Sequence, residues 1–129
     1  MSERELTLDL PGADLPGAGD PIITDIIAGA LSSIDSSLPG ASAQAGGALG
    51  IEAGADQVLL ILVDGLGYEL IQDHLGHTPT LRRVRNDIRS IHTVVPSTTA
   101  AAITAFGTGA RPGATNMVGF SVAYGGGVM

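Results

Sequence analysis

Two short stretches of the sequence carry side chains with chemistry in them. One is the apolar run Val58-Leu59-Leu60-Ile61-Leu62-Val63, which ends on Asp64-Gly65; the other is the hydroxyl-rich turn Pro96-Ser97-Thr98-Thr99, which opens the small-residue stretch Ala100-Ala101-Ala102. A carboxylate is a hard oxygen ligand suited to divalent cations. A threonine hydroxyl is a poor nucleophile until a base or a metal activates it. Thr99 falls at the amino end of an expected helix, where free N–H groups and the helix dipole favour an anion, a phosphate above all. Paired metals about 3.5–4 Å apart steady the attacking and leaving oxygens of a phosphoryl transfer. The candidates are therefore Asp64 as a metal ligand and Thr99 as a nucleophile that also touches metal.

Plainer readings stand beside these. Asp64-Gly65 is also a common way to leave a strand, and Ser97, Thr98 and Thr99 are all good helix caps. His74 and His77 are three apart near a helix end and read first as solvated side chains, with metal chelation the alternative. His92 reads as a surface or edge residue. Arg82, Arg83, Arg85 and Arg89 read as a solvated helix face rather than an anion site. Gly107-Thr108-Gly109 lacks the third glycine of a dinucleotide loop, and Pro112 interrupts the helix that should follow. The chain has no lysine, which excludes a P-loop.

These residues need elements to hold them. A continuous Leu/Ile/Val run reads as a strand buried on both faces, the kind found in α/β sheets, whose sites gather at the carboxyl ends of the strands. The spacing predicts a strand ending at Asp64, a helix over 66–75 stopped by Gly76, and a second helix started by Thr78-Pro79. A strand follows over 88–95, then a small-residue helix over 99–106. Strand, helix, strand, helix is a βαβα unit with a right-handed crossover. Residues 1–50 form a separate acidic and Gly-rich segment. Its turns are expected at Pro11-Gly12 and Pro16-Gly17. A helix over 21–37 is expected with Asp20 as its cap, followed by a flexible connection at 40–50. Residues 51–129 form the α/β domain.

Composition narrows the class. The 129 residues include 19 glycines, no cysteine and six basic residues, with a formal net charge of -7. This acidic balance argues against a nucleic-acid-binding surface. Without cysteine there is no thiolate metal site and no disulfide. The polar start and the lack of an apolar stretch of about 18 residues predict neither a signal peptide nor a membrane span, hence a cytoplasmic location. Oligomeric state is not legible.

Three segments, in order, carry a family resemblance: VLLILVDGLGYELI, TPTLRRV and VVPSTTAAAITAFGTGARPGATNMVGF, together spanning about residues 58–120. They resemble the amino-terminal part of the type I phosphodiesterase/nucleotide pyrophosphatase family, within the alkaline phosphatase superfamily. The resemblance implies a mostly parallel sheet flanked by helices. It also implies a metal-dependent hydrolase acting on a small-molecule phosphate ester through a phosphoryl- or nucleotidyl-enzyme intermediate. Asp64 stands where the family's metal-binding Asp closes the first strand, and Thr99 stands at the nucleophile. The implied cofactor is a pair of divalent metals, zinc or alternatively manganese, with the second site not encoded in this chain. Two positions depart from the family: Ala102 replaces a phosphate-contacting Asn, and Thr115-Asn116 replaces a common His-Gly pair.

The family's other metal ligands come from later in a longer chain, and this sequence ends at Gly125-Gly126-Gly127-Val128-Met129, inside what reads as a loop. It is therefore expected to be truncated and to lack most of the metal ligands. The alternative is a non-catalytic α/β module that binds an anion or a protein partner.

Overall fold

Helices joined by long irregular segments make up the described chain. The computed structural model describes residues 16–17, 19–120, 123–124 and 127–128, so the turn expected at Pro11-Gly12 lies outside them. Six α-helices follow in order: α1 (Asp25–Ile34), α2 (Ala43–Leu49), α3 (Tyr68–His74), α4 (Pro79–Arg83), α5 (Thr99–Thr108) and α6 (Pro112–Thr115). Short 3-10 turns at Leu75–His77 and Arg85–Asp87 follow α3 and α4.

The expected mostly parallel sheet flanked by helices is not formed among the described residues. Residues 58–63 take no regular secondary structure and pair with no described strand. Residues 88–95 contribute a single parallel bridge, between His92 and Ile22. Two-residue strands β1 (Ala123–Tyr124) and β2 (Gly127–Val128), paired antiparallel, are the other β-structure among the described residues. The reason lies in the ladder. A strand buried on both faces needs hydrogen-bonding neighbours and a layer of side chains above and below. Here the backbone of His92 is engaged by the amino-terminal segment: Ile23 N–H donates to the His92 carbonyl at 2.9 Å, and His92 N–H donates to the Pro21 carbonyl at 3.0 Å. Among the described residues no other segment does the same for 58–63, whose one such bond is the local turn from Leu66 N–H to the Val63 carbonyl at 3.4 Å.

The helices follow local signals more closely. The predicted helix over 21–37 is realised as the shorter α1. Asp20 does not cap it; its carboxylate instead accepts from Gly17 N–H at 2.8 Å, closing the turn expected at Pro16-Gly17. Asp25 accepts from Ile22 N–H at 2.9 Å and fixes the entry to α1. Residues 40–50, expected to be flexible, hold α2. Ser42 caps it by accepting from Ala45 N–H at 3.1 Å, and Gly50 ends it in the left-handed conformation at φ 69°. This weak Gly/Ala helix is held by close contact with α1. A Cβ on Gly29 would lie 3.0 Å from the Gly46 nitrogen, so the two backbones meet where neither residue has a side chain.

The core sits where α5 meets the amino-terminal segment. Ala101 and Ala105 are each 1% exposed and lie one turn apart on α5, packed with Val94, Ile23 and Ala102. Their small size lets the helix approach closely, and this positions the hydroxyl-rich turn at its amino end.

Candidate functional site

The turn before α5 divides its hydroxyls between two tasks. Thr98 is the cap: its Oγ1 accepts from Ala101 N–H at 3.3 Å and donates to the Val118 carbonyl at 3.0 Å. Thr99 is the first residue of α5, half-buried, and among the described residues no hydrogen bond engages its hydroxyl. The capping reading thus belongs to Thr98 and leaves the Thr99 oxygen uncommitted.

Asp64 follows the apolar run in a turn with Gly65, whose φ of 74° suits a residue without a Cβ. Its carboxylate is exposed and makes no hydrogen bond among the described residues.

Asp64 and Thr99 line one cavity of about 650 Å³, an ordinary size for a small-molecule site. Its walls are largely apolar, with Ile23, Ile26, Leu62, Ile71, Ile91 and Ile103 contributing. The polar groups are few: Asp64, Tyr68, Arg89, His92, Thr93, Ser97 and Thr99. Ala102 also lines it and brings no donor to that wall.

Two charged or titratable residues in this cavity were not expected there. His92 lies between the two backbone bonds to 21–23, and its Nε2 is 3.8 Å from an Asp20 carboxylate oxygen. Arg89 was grouped with a solvated helix face, yet it falls outside α4, which carries Arg82 and Arg83. The available signal was its place beside Ile88, inside the second apolar run. His74 is elsewhere, with Nδ1 donating to the Leu70 carbonyl at 2.9 Å, so that nitrogen serves the end of α3. Neither His74 nor His77 lines the cavity.

The donors can be tested against a divalent metal. Their type fits, since Asp64 and Thr99 offer hard oxygens in one cavity. Their number does not complete a site: a catalytic zinc takes about three protein ligands and keeps one position open. Among the described residues no group of three or more His, Cys, Asp or Glu side chains is placed to hold a metal ion.

A carboxylate and an uncommitted hydroxyl at one small-molecule cavity are parts suited to ester-transfer chemistry. The family model for type I phosphodiesterase / nucleotide pyrophosphatase matches residues 58–125, more than half of the chain, and the chain belongs to that family. The family is one of hydrolases acting on phosphate esters, and it is generally metal-dependent. No curated protein and no solved structure matches the chain. Among the described residues no helix is long and apolar enough to cross a membrane.

Proposed function

We propose that this chain supplies the nucleophile and one metal-binding carboxylate of a phosphodiester or pyrophosphate hydrolase. Thr99 is the nucleophile and Asp64 the carboxylate. The observation that carries the reading is the shared cavity, in which the Thr99 hydroxyl is left free because Thr98 does the capping. In the first step the Thr99 hydroxyl oxygen attacks phosphorus and gives up its proton, which ends on the departing oxygen. An Oγ–P bond forms, and the bond to the leaving oxygen breaks with its electron pair departing on that oxygen. Water then attacks the same phosphorus, breaks the Oγ–P bond and returns the hydroxyl to Thr99.

A divalent cation, zinc or manganese, would lower the hydroxyl's pKa and neutralise developing charge, with Asp64 and the Thr99 oxygen among its ligands. The substrate class is a small-molecule phosphate ester.

The test is hydrolysis of a chromogenic phosphodiester and a phosphomonoester by the full-length protein, with and without added zinc or manganese. The reading expects metal-supported turnover that Thr99→Ala abolishes while metal affinity is kept. Turnover retained in Thr99→Ala would remove the nucleophile assignment. A folded protein that binds an anion but hydrolyses neither ester would identify a binding module instead.

A further inference from the structure

We infer that Ile26 is a specificity-determining residue of this site, and that the substrate carries an apolar aryl or alkyl group seated against it. The inference rests on the phosphoryl-transfer reading above and names the class of group joined to the phosphate. The family match covers residues 58–125, so the part of the cavity wall made by Ile23 and Ile26 comes from outside it. That part is continued by Leu62, Ile71, Ile91 and Ile103, and none of these side chains has a donor or an acceptor. A nucleoside set against such a wall would leave polar groups of its base and sugar unpaired, which is costly. An aryl or alkyl group gains there instead, because its surface leaves water.

Ile26 is held at that wall by the chain around it. The turn before it is closed twice: Asp25 N–H donates to the Ile22 carbonyl, and the Asp25 carboxylate accepts from Ile22 N–H, each at 2.9 Å. Ile22 is buried, and the backbone bonds between Pro21–Ile23 and His92 fasten this turn to a residue that lines the cavity. Ile23 packs on the cluster of Val94, Ala101 and Ala105, and so does Ala102. Ala102 follows Thr99 by one helical turn and lines the cavity with it, so the start of α1 lies along the Thr99 side of α5. The two isoleucines then differ in what they do. Ile23 is committed to the core, whereas Ile26, half-buried, lines the cavity without joining that cluster. Ile27, its half-buried neighbour on α1, does not line the cavity.

The experiment gives the full-length protein two diesters with the same leaving group. One is para-nitrophenyl phenyl phosphate, which carries an apolar ring; the other is para-nitrophenyl thymidylate, which carries a polar nucleoside. We expect kcat/KM to favour the phenyl ester, mainly through a lower KM. Ile26→Thr places a hydroxyl in the wall with little change of shape and should cut that preference by roughly tenfold. Ile26→Val removes one methylene and should cut it by roughly threefold, and it carries the test if the threonine variant does not fold. Ile27→Thr makes the same change on the same helix outside the cavity, and should leave the preference within about twofold. A loss of stability alone lowers both rates together and leaves their ratio unchanged, so the ratio separates a wall residue from a structural one. Preference for the nucleoside ester, or an unchanged ratio in folded Ile26 variants, overturns the inference while the hydrolysis itself sustains the parent reading. An equal change of ratio in Ile27→Thr overturns it as well, since position at the cavity would then not matter. Hydrolysis of neither ester by the unsubstituted protein overturns the inference and the parent reading together.

Discussion

The Thr98 hydroxyl donates to the Val118 carbonyl at 3.0 Å, across 20 residues of sequence, while accepting from Ala101 N–H. One side chain therefore caps α5 and ties its start to the loop after α6. Loss of a threonine cap typically costs about 1 kcal/mol, and loss of a further hydrogen bond about 0.5–1.5 kcal/mol. Thr98→Ala should accordingly destabilise the protein by about 1–2 kcal/mol in urea unfolding. Thr99→Ala should stay within about 0.5 kcal/mol of the parent, since its hydroxyl bonds nothing, and should lose turnover instead. A reversed pattern, with Thr99→Ala the unstable variant, would make Thr99 a structural cap.

Asp64 is exposed and unbonded among the described residues, so folding gains little from it. Asp64→Asn should leave the unfolding midpoint nearly unchanged. As a direct ligand, its loss should weaken zinc or manganese binding by at least the roughly 10–100-fold seen for outer-shell partners. Calorimetric titration of the full-length protein checks this, and an unchanged affinity would remove Asp64 from the ligand set.

The sequence was most legible where the signal is local. Thr78-Pro79 does start α4, the small-residue stretch does form α5, and Gly109 ends it in the left-handed conformation. It was least legible where a neighbour decides. The run 58–63 has a strand's composition, but a strand exists only with a ladder partner. The backbone of His92 finds its partner in Pro21–Ile23, a pairing that no periodicity announces. Helix α2 was missed because Ala43–Leu49 has weak helix propensity and depends on its contact with α1. For the site, the two chemical groups singled out from their spacing do line one cavity. Arg89 was hidden by its neighbours Arg82, Arg83 and Arg85, because charge clustering in sequence does not tell which member leaves the helix.

The α1–α2 contact separates two glycines that look alike in sequence. A Cβ on Gly29 would meet the Gly46 backbone at 3.0 and 3.1 Å, and backbone cannot rotate aside. A Cβ on Gly46 would come within 2.8 Å of the Ser32 hydroxyl, which can rotate aside at the cost of its hydrogen bond to the Gly29 carbonyl, a loss of about the size of the propensity gain. Alanine gains about 0.5–1 kcal/mol of helix propensity at either site, against an overpacking cost of about 1–3 kcal/mol. Gly29→Ala should therefore be net destabilising by about 1–2 kcal/mol, and Gly46→Ala close to neutral. Thermal melts of the two variants decide it; equal behaviour would mean that the helices separate freely.

Asp35 gives the pH dependence a direction. Its carboxylate accepts from Ser37 N–H at 2.8 Å, and that hydrogen bond, joined by one from the Ser37 side chain, holds its pKa below the ordinary value of 3.8. A lowered folded-state pKa stabilises the protein above the unfolded value, and the contribution is lost as pH falls through the folded one. The loss should therefore appear only in the acid range, below about pH 4, and be small because the group is exposed. An NMR titration of the Asp35 carboxyl checks the direction, and a midpoint above that of a free aspartate would contradict the turn.

The apolar run before Asp64 has a consequence for handling the protein. Leu59 is 80% and Ile61 76% exposed, in a segment without regular secondary structure whose backbone joins no strand among the described residues. Six consecutive branched aliphatic residues without charge or proline match the composition of segments that pair between chains. The 129-residue chain should therefore bind a dye such as ANS and self-associate in a concentration-dependent way. Substituting Leu59→Lys together with Ile61→Lys places two charges on exposed positions. The double variant should suppress both the dye signal and the association, at a stability cost of less than about 1 kcal/mol. Sedimentation velocity at several concentrations provides the readout for association. If the double variant instead unfolds the chain, Leu59 and Ile61 are buried in solution against apolar surface, and the run belongs to the core.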